Sequence, residues 1–229
     1  MAKNKDLKKE DNLSEVENAL TKSEQFIEQN QKILSIVVGA AVVIVAAYLG
    51  FTKLYVLPKE KAAQEQMFMA EQYFEKDSFN LALNGDGNYL GFLDIIDDYG
   101  VTKVADLAGY YSGICYLRLG QYEEAINYLD AFESDDLLLA PVAAGAKGDA
   151  YVELNETDKA LNAYKKAYSY KNEFTTPVYL MKAGNLLEAT GKYADALNLY
   201  NEIKTAYPAS TEARSVDKYI ARAELHLNK

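Results

Sequence analysis

Residues 113–129 read GICYLRLGQYEEAINYL, and two related stretches follow, GDAYVELNETDKALNAY at 148–164 and GNLLEATGKYADALNLY at 184–200. Each begins with a glycine and carries an alanine twelve residues further on. The alanines are Ala125, Ala160 and Ala196, at intervals of 35 and 36 residues. Such self-similarity at a fixed period is the signature of an array in which neighbouring units share their apolar core.

The order of residues within each stretch predicts two helices joined by a turn. Helix-stopping residues separate the glycine from the alanine, as LGQY at 119–122, LNET at 154–157 and TGKY at 190–193. A small residue on each helix lets the two helices touch, and the tyrosines and leucines near them fill the space between units. The sequence therefore predicts an all-α fold in which helix pairs stack into a solenoid.

The repeated stretches resemble the tetratricopeptide repeat, a two-helix unit of about 34 residues. Three copies are clear, and MAEQYFEKDSFNLAL at 69–83 reads as a degenerate first copy. Glycine-rich residues at 84–91 interrupt that copy, which predicts a loop insertion in its second helix, and FLDIIDDYG continues as helix after it. The periodic residues 211–228 have the length of the capping helix that closes a solenoid.

Twenty residues without a charge lie between Lys32 and Lys53 and read ILSIVVGAAVVIVAAYLGFT. A helix of that length rises about 30 Å, which is the thickness of the hydrocarbon core of a bilayer. A cleaved signal peptide is the alternative, but the 32 mostly polar residues upstream favour an uncleaved anchor. We expect three parts: a cytoplasmic polar segment with a short helix at 1–32, a single transmembrane helix at 33–57 and a tetratricopeptide-repeat domain at 58–229.

The lysines around this segment predict its orientation. Six precede it and three follow it closely: Lys3, Lys5, Lys8, Lys9, Lys22 and Lys32, then Lys53, Lys59 and Lys61. Positive charges concentrate on the cytoplasmic side of membrane spans. We therefore expect the N-terminus in the cytoplasm and the repeat domain outside it.

Composition excludes several classes of function. The chain of 229 residues has 34 acidic and 24 basic residues and a net charge of −10, so it lacks the basic balance of a nucleic-acid-binding protein. It has one cysteine, Cys115, and one histidine, His226, too few for a zinc cage or a histidine-dependent catalytic triad. We expect no enzyme activity, no catalytic residue, no cofactor and no metal. Cys115 is expected to be a small core residue.

In the tetratricopeptide repeat, side chains on the inner face of each first helix line a concave groove that binds a partner. The resemblance implies a groove built from Leu107, Tyr110, Ile114, Leu117, Arg118, Val142, Asp149, Val152, Val178, Met181 and Asn185, with Glu153 and Glu188 near its rim. Family members that clamp acidic chaperone tails carry lysine, arginine and asparagine there, whereas these residues are mostly apolar and acidic. We expect a hydrophobic or basic polypeptide segment as ligand; the alternative is that several of these side chains belong to the core between repeats or meet a partner's helix.

A cytoplasmic segment, one anchor helix and an extracytoplasmic repeat domain together resemble the YfgM-like ancillary subunits of the SecYEG translocon. The resemblance implies a single-pass protein of the bacterial inner membrane with a periplasmic domain. It also implies partners: the SecYEG translocon, a membrane-anchored periplasmic chaperone of the PpiD type, and unfolded or nascent polypeptides. The function expected is that of a translocon-associated, chaperone-like adaptor. The alternative is a scaffold subunit of another envelope complex, for division, outer-membrane assembly or secretion.

Overall fold

The structure, a computed structural model, describes residues 3–228, and their side chains from residue 26 onward. Part of the predicted polar segment 1–32 therefore lies outside the described side chains. The chain divides into two compact units, Met1–Leu57 and Pro58–Lys229. About 77% of it is helical and its described residues form no strand, so the prediction of an all-α fold is confirmed.

Helix α1, Lys3–Phe51, makes up most of the first unit and is followed by a π-helical turn, Thr52–Val56. The sequence predicts a short polar helix and then a membrane-spanning one over this stretch, and the structure forms a single helix there. No proline precedes Pro58, so nothing in the covalent chain forces a break between the two. An 18-residue window within residues 26–75 has mean hydropathy 2.6 and is wholly exposed. By length and composition this is the one helix among the described residues able to cross a membrane.

The second unit is built from paired helices. Their bounds are α2 Leu57–Glu75, α3 Phe79–Asn84, α4 Phe92–Tyr99, α5 Lys103–Arg118, α6 Tyr122–Ala131, α7 Leu139–Glu153, α8 Thr157–Tyr168, α9 Thr176–Ala189, α10 Tyr193–Ala206 and α11 Val216–Leu227. Helices α5 and α6, α7 and α8, and α9 and α10 pack as successive pairs, and α11 packs against α10. The predicted solenoid of three clear repeats, a degenerate first repeat and a capping helix is confirmed.

Each clear pair is held together where a glycine of the first helix faces a large side chain of the second. The facing residues are Gly113 and Leu129, Gly148 and Tyr164, and Gly184 and Tyr200. In the middle pair, a Cβ on Gly148 would lie 2.5 Å from Tyr164 Cε1, well inside van der Waals contact. Glycine at this position is thus required for the close approach of the two helices, which is what the sequence periodicity predicts.

A residue in the left-handed region follows the first helix of each clear pair. These residues are Gly120 at φ 77°, Asn155 at φ 58° and Gly191 at φ 76°. All three lie within the turns predicted from the sequence. Glycine and asparagine adopt this conformation at less cost than other residues, so the chain can reverse within a few residues and the second helix can pack against the first.

The first repeat is interrupted where the sequence predicts an insertion. Residues 85–91 divide its second helix into α3 and α4. In this loop the carboxylate of Asp86 accepts hydrogen bonds from the backbone N–H groups of Tyr89 and Asn88, at 2.8 and 2.9 Å. The hydroxyl of Tyr73 donates to the same carboxylate at 2.9 Å. These hydrogen bonds hold the pKa of Asp86 below its usual range, and the insertion is a folded part of the repeat.

Candidate peptide-binding groove

A cavity of about 580 Å³ opens among the first helices of the three clear repeats, α5, α7 and α9. We call this surface the groove, and its lining residues are Tyr110, Ile114, Leu117, Arg118, Tyr122, Val142, Ala146, Asp149, Glu153, Tyr179 and Lys182. Only Tyr122 comes from a second helix, α6. The volume is that of a cavity able to hold several side chains of a ligand.

The centre of the groove is apolar. Ile114 and Leu117 on α5 and Val142 on α7 are half-buried, and they pack against the cluster of buried residues that includes Leu129 and Ala143. Because these aliphatic side chains keep part of their surface exposed in a concave site, they remain available to apolar groups of a ligand.

Two tyrosine hydroxyls reach the groove without a protein partner. Tyr110 and Tyr179 are only 8% and 7% exposed, and both line the cavity. Neither hydroxyl has a hydrogen-bond partner within the described part of the chain, and both oxygens keep some contact with solvent. Burial raises the pKa of both side chains, so both are protonated at neutral pH. Each can therefore donate a hydrogen bond to an oxygen of a ligand.

Asp149 is held by three hydrogen bonds on the polar side of the groove. The ammonium group of Lys182 on α9 donates to both of its oxygens, at 2.7 and 2.6 Å. The hydroxyl of Tyr164 on α8 donates to Oδ1 at 2.7 Å. The negative charge of Asp149 is thus matched inside the protein, and Asp149 links α7 to α8 and to α9.

The net charge of the groove corrects one expectation from the sequence. Its lining contains two bases, Arg118 and Lys182, and two acids, Asp149 and Glu153, so the groove is apolar and neutral, where a mostly apolar and acidic one was expected. Lys182 makes the difference because it neutralises Asp149. Arg118 is exposed and has no ion pair among the described residues, whereas Glu153 accepts a hydrogen bond from the Tyr122 hydroxyl at 3.4 Å.

Six of the eleven predicted groove residues line this cavity together. They are Tyr110, Ile114, Leu117, Arg118, Val142 and Asp149. All six lie on α5 or α7, so the structure brings together the predicted residues of the second and third repeats.

The other five predicted residues lie elsewhere. Leu107 and Val178 line two separate clefts. Val152 and Met181 pack against buried clusters, so for these two the alternative interpretation, that they belong to the core, is the better one. Asn185 accepts a hydrogen bond from the Tyr200 hydroxyl at 3.0 Å.

The sequence does not predict four of the lining residues: Tyr122, Ala146, Tyr179 and Lys182. Tyr179 and Lys182 stand at the repeat positions of Ala143 and Ala146, so comparison between repeats gives no signal for either. Gly145 is the feature that could have indicated Tyr179, because a Cβ on that glycine would overlap the tyrosine ring. A glycine in the interior of a helix, where no turn requires it, leaves room for a large neighbouring side chain.

Outside the groove, we looked for metal-binding clusters and for a reactive thiol among the described residues. The described residues contain no cluster of three or more His, Cys, Asp or Glu side chains that could hold a metal ion. Cys115 is fully buried, as predicted. Burial raises the pKa of its thiol to about 12, so the thiol stays protonated at neutral pH and serves as a core residue.

The stacked helix pairs, the glycine contacts within them and the cavity along their first helices define a tetratricopeptide-repeat solenoid, a class of scaffold through which proteins bind other proteins. The family model for the tetratricopeptide repeat matches residues 112–169 and 145–211 of the chain. These ranges contain the three clear repeats from Ser112 onward.

Two solved structures share this fold. The crystal structure of MamA protein has a TM-score of 0.52 at 15% identity, over 72% of this chain and 88% of that one. The nearly identical TPR-like repeats of a kinesin light chain candidate from Podosopora anserina have a TM-score of 0.55 at 12% identity, over 74% of this chain and 88% of that one. At these identities the likeness concerns the fold alone. Among curated proteins, none matches the chain.

Proposed function

We propose that this protein is a membrane-anchored interaction module whose groove binds segments of partner proteins or of emerging polypeptides. The observation that carries the proposal is the groove itself, a cavity of about 580 Å³ lined by apolar side chains and by two tyrosines whose hydroxyls have no hydrogen-bond partner among the described residues. Because both hydroxyl oxygens keep contact with solvent, a ligand can reach them and supply acceptors in place of water.

The chemistry of the groove suits an apolar stretch of polypeptide. Main-chain carbonyl oxygens of the ligand accept hydrogen bonds from Tyr110 and Tyr179. Its apolar side chains lie against Ile114, Leu117 and Val142. Because the groove has no net charge, it favours a hydrophobic polypeptide segment over a basic one.

The membrane anchor is part of the same proposal. The exposed apolar window within residues 26–75 is long enough to span a bilayer as one helix. More lysines precede it than follow it, which favours a cytoplasmic N-terminus. In a bacterial inner membrane this orientation gives the repeat domain access to proteins of the periplasm.

The translocon is the proposed site of action. The order of polar segment, anchor and repeat domain resembles that of the YfgM-like ancillary subunits, and this resemblance supports SecYEG and a PpiD-type chaperone as partners. Polypeptides that leave a translocon are unfolded and expose apolar segments. A groove that accepts such segments would make the protein a chaperone-like adaptor.

Affinity purification of the full-length chain from membranes in mild detergent, with mass spectrometry, tests this function. Tyr110→Phe combined with Arg118→Ala removes one donor and the free charge from the groove. Tyr89→Phe combined with Arg214→Ala makes the same chemical changes at exposed positions outside it. We expect translocon subunits and a periplasmic chaperone to co-purify with the wild type and the control, and to be depleted with the groove variant.

Two other results would count against the proposal in different ways. Enrichment of another envelope complex without translocon subunits would contradict the translocon role and favour a scaffold for that complex. Equal recovery of the same partners by the groove variant would contradict the groove as the binding surface, whatever the partner.

A further inference from the structure

Three loops join consecutive helix pairs, residues 132–138, 169–175 and 207–215, and we call the surface that they form the loop edge. It carries the two most exposed large apolar side chains of the second unit, Phe174 at 76% and Leu137 at 65%. Two large apolar side chains this exposed, on adjacent loops, are available for contact with a partner.

The side chain of Asn172 joins two of these loops by hydrogen bonds. Its Nδ2 group donates to the carbonyl oxygen of Leu137 at 3.0 Å. Its Oδ1 atom accepts from the backbone N–H groups of Phe174 and Thr175, at 2.9 and 2.7 Å. The loops that present Leu137 and Phe174 are thus held by hydrogen bonds in one arrangement. A preformed surface loses less conformational entropy when a partner binds.

A cleft of about 410 Å³ opens beside Phe174. It is lined by Phe174 and Val178 on one side and by residues 209–212 on the other, with Glu173 and Glu212 at its polar part. The cleft can receive an apolar side chain of a partner while the two carboxylates meet a positive charge next to it.

The two loops that carry Leu137 and Phe174 contain more acids than bases. Residues 132–138 and 169–175 contain four acids, Glu133, Asp135, Asp136 and Glu173, and one base, Lys171, and the third loop, residues 207–215, contains one of each, Glu212 and Arg214. Asp136 accepts hydrogen bonds from the backbone at the start of α7, whereas the other three acids of the first two loops have no ion pair among the described residues. A partner for this surface must therefore carry positive charge beside its apolar groups. An anionic lipid surface would be repelled.

We infer that the loop edge docks a basic, amphipathic segment of a protein partner, independently of the groove. The two surfaces differ in chemistry, because the groove is neutral and the loop edge is acidic, and the groove and the cleft beside Phe174 have no lining residue in common. The partner places an apolar side chain in the cleft, covers Leu137 and Phe174, and pairs its bases with Glu133, Asp135 and Glu173.

The test uses the full-length protein in nanodiscs of neutral lipid. A fluorescent amphipathic Leu/Lys peptide is the probe, and a Leu/Glu peptide of the same length is the charge control. Leu137→Ser with Phe174→Ser removes the apolar side chains of the loop edge, and Leu225→Ser with Leu227→Ser is the matched control on α11, where both residues are exposed. Fluorescence anisotropy measures binding.

We expect the Leu/Lys peptide to bind the wild type, the α11 control and the groove variant alike. The loop-edge variant should bind it about tenfold more weakly, because a few apolar anchors carry most of the affinity of an interface. Equally tight binding of the Leu/Glu peptide, or unchanged binding by the loop-edge variant, would overturn the inference. Protection of residues 132–138 and 169–175 from hydrogen exchange in nanodiscs before peptide is added, and not in amphipol, would assign the loop edge to the bilayer and overturn it as well.

Discussion

Individual glycines decide how closely the helices of this solenoid can pack. Gly145 on α7 lies under the ring of Tyr179, where a Cβ would overlap the ring. Gly109 on α5 is also helical, yet apart from its chain neighbours and the backbone of its own helix no atom lies within 4 Å of the place where its Cβ would be. The same substitution should therefore have opposite effects at the two positions.

We expect Gly145→Ala to lower the free energy of unfolding by about 1–3 kcal/mol, because the Tyr179 ring must move out of a packed site. Gly109→Ala is the matched control and should raise it by up to about 1 kcal/mol, since alanine is the better helix former. Thermal unfolding of the full-length chain, followed by circular dichroism, measures both. An unchanged melting temperature for Gly145→Ala would mean that the packing of the Tyr179 ring does not require a glycine at position 145.

At the scale of residues, the sequence predicts the contacts that recur in each repeat, and it does not predict a contact that occurs only once. Gly148 and Tyr164 recur at the same spacing in another repeat, so their contact follows from the period. Lys182 replaces the alanine of the preceding repeat, and its ion pair with Asp149 makes the groove neutral instead of acidic. No pattern along the chain reports a contact that only one pair of repeats makes.

At the scale of elements, an ion pair joins the capping helix α11 to α9. Arg222 donates from Nη2 to Glu188 Oε2 at 2.8 Å, and its Nε also donates to the carboxylate. The Tyr200 hydroxyl shares its one hydrogen between the same carboxylate and the side-chain oxygen of Asn185, each at 3.0 Å. The Arg222 guanidinium holds the pKa of Glu188 below its ordinary value of 4.5. The ion pair therefore contributes its full stabilisation at pH values above 4.5. This contribution is lost as the pH falls through the lowered pKa of Glu188 in the folded state.

Replacing the Glu188 carboxylate should make the stability of the protein less dependent on pH. We expect Glu188→Gln to have a lower melting temperature than the wild type at neutral pH, and the difference to shrink as the pH falls well below 4.5. Glu224→Gln, at an exposed position on α11, is the control and should match the wild type throughout. A difference between Glu188→Gln and the wild type that does not change with pH would contradict the charged contact.

The sequence predicts the end of a helix where it contains residues that disfavour helix. It predicts helix ends less clearly where only the hydropathy changes. The glycines of residues 85–91 break the second helix of the first repeat, and the sequence predicts that break. Nothing similar separates the polar residues before the apolar run from the run itself, and α1 continues from Lys3 to Phe51. Most polar residues before the run are good helix formers, so a change in polarity alone does not end a helix.

The whole molecule combines a unit with one apolar helix and a unit with two candidate binding surfaces. The class of the fold and the general role in protein binding follow from the repeat period, because stacked helix pairs leave a continuous surface along their first helices. The identity of the partner does not follow from it. The glycines and alanines of the repeat specify how helices pack, whereas the side chains that meet a ligand vary freely between proteins of the same fold.

The central claim, that the groove binds partner polypeptides, is tested most directly by site-specific photo-crosslinking in living cells. A photoreactive side chain replaces Ile114 or Val142 in the groove, and Asn127, an exposed position on α6, serves as the control. We expect crosslinks to translocon subunits or emerging chains from the two groove positions and few from Asn127. Equal crosslinking from all three positions, or crosslinking from Asn127 alone, would contradict the claim.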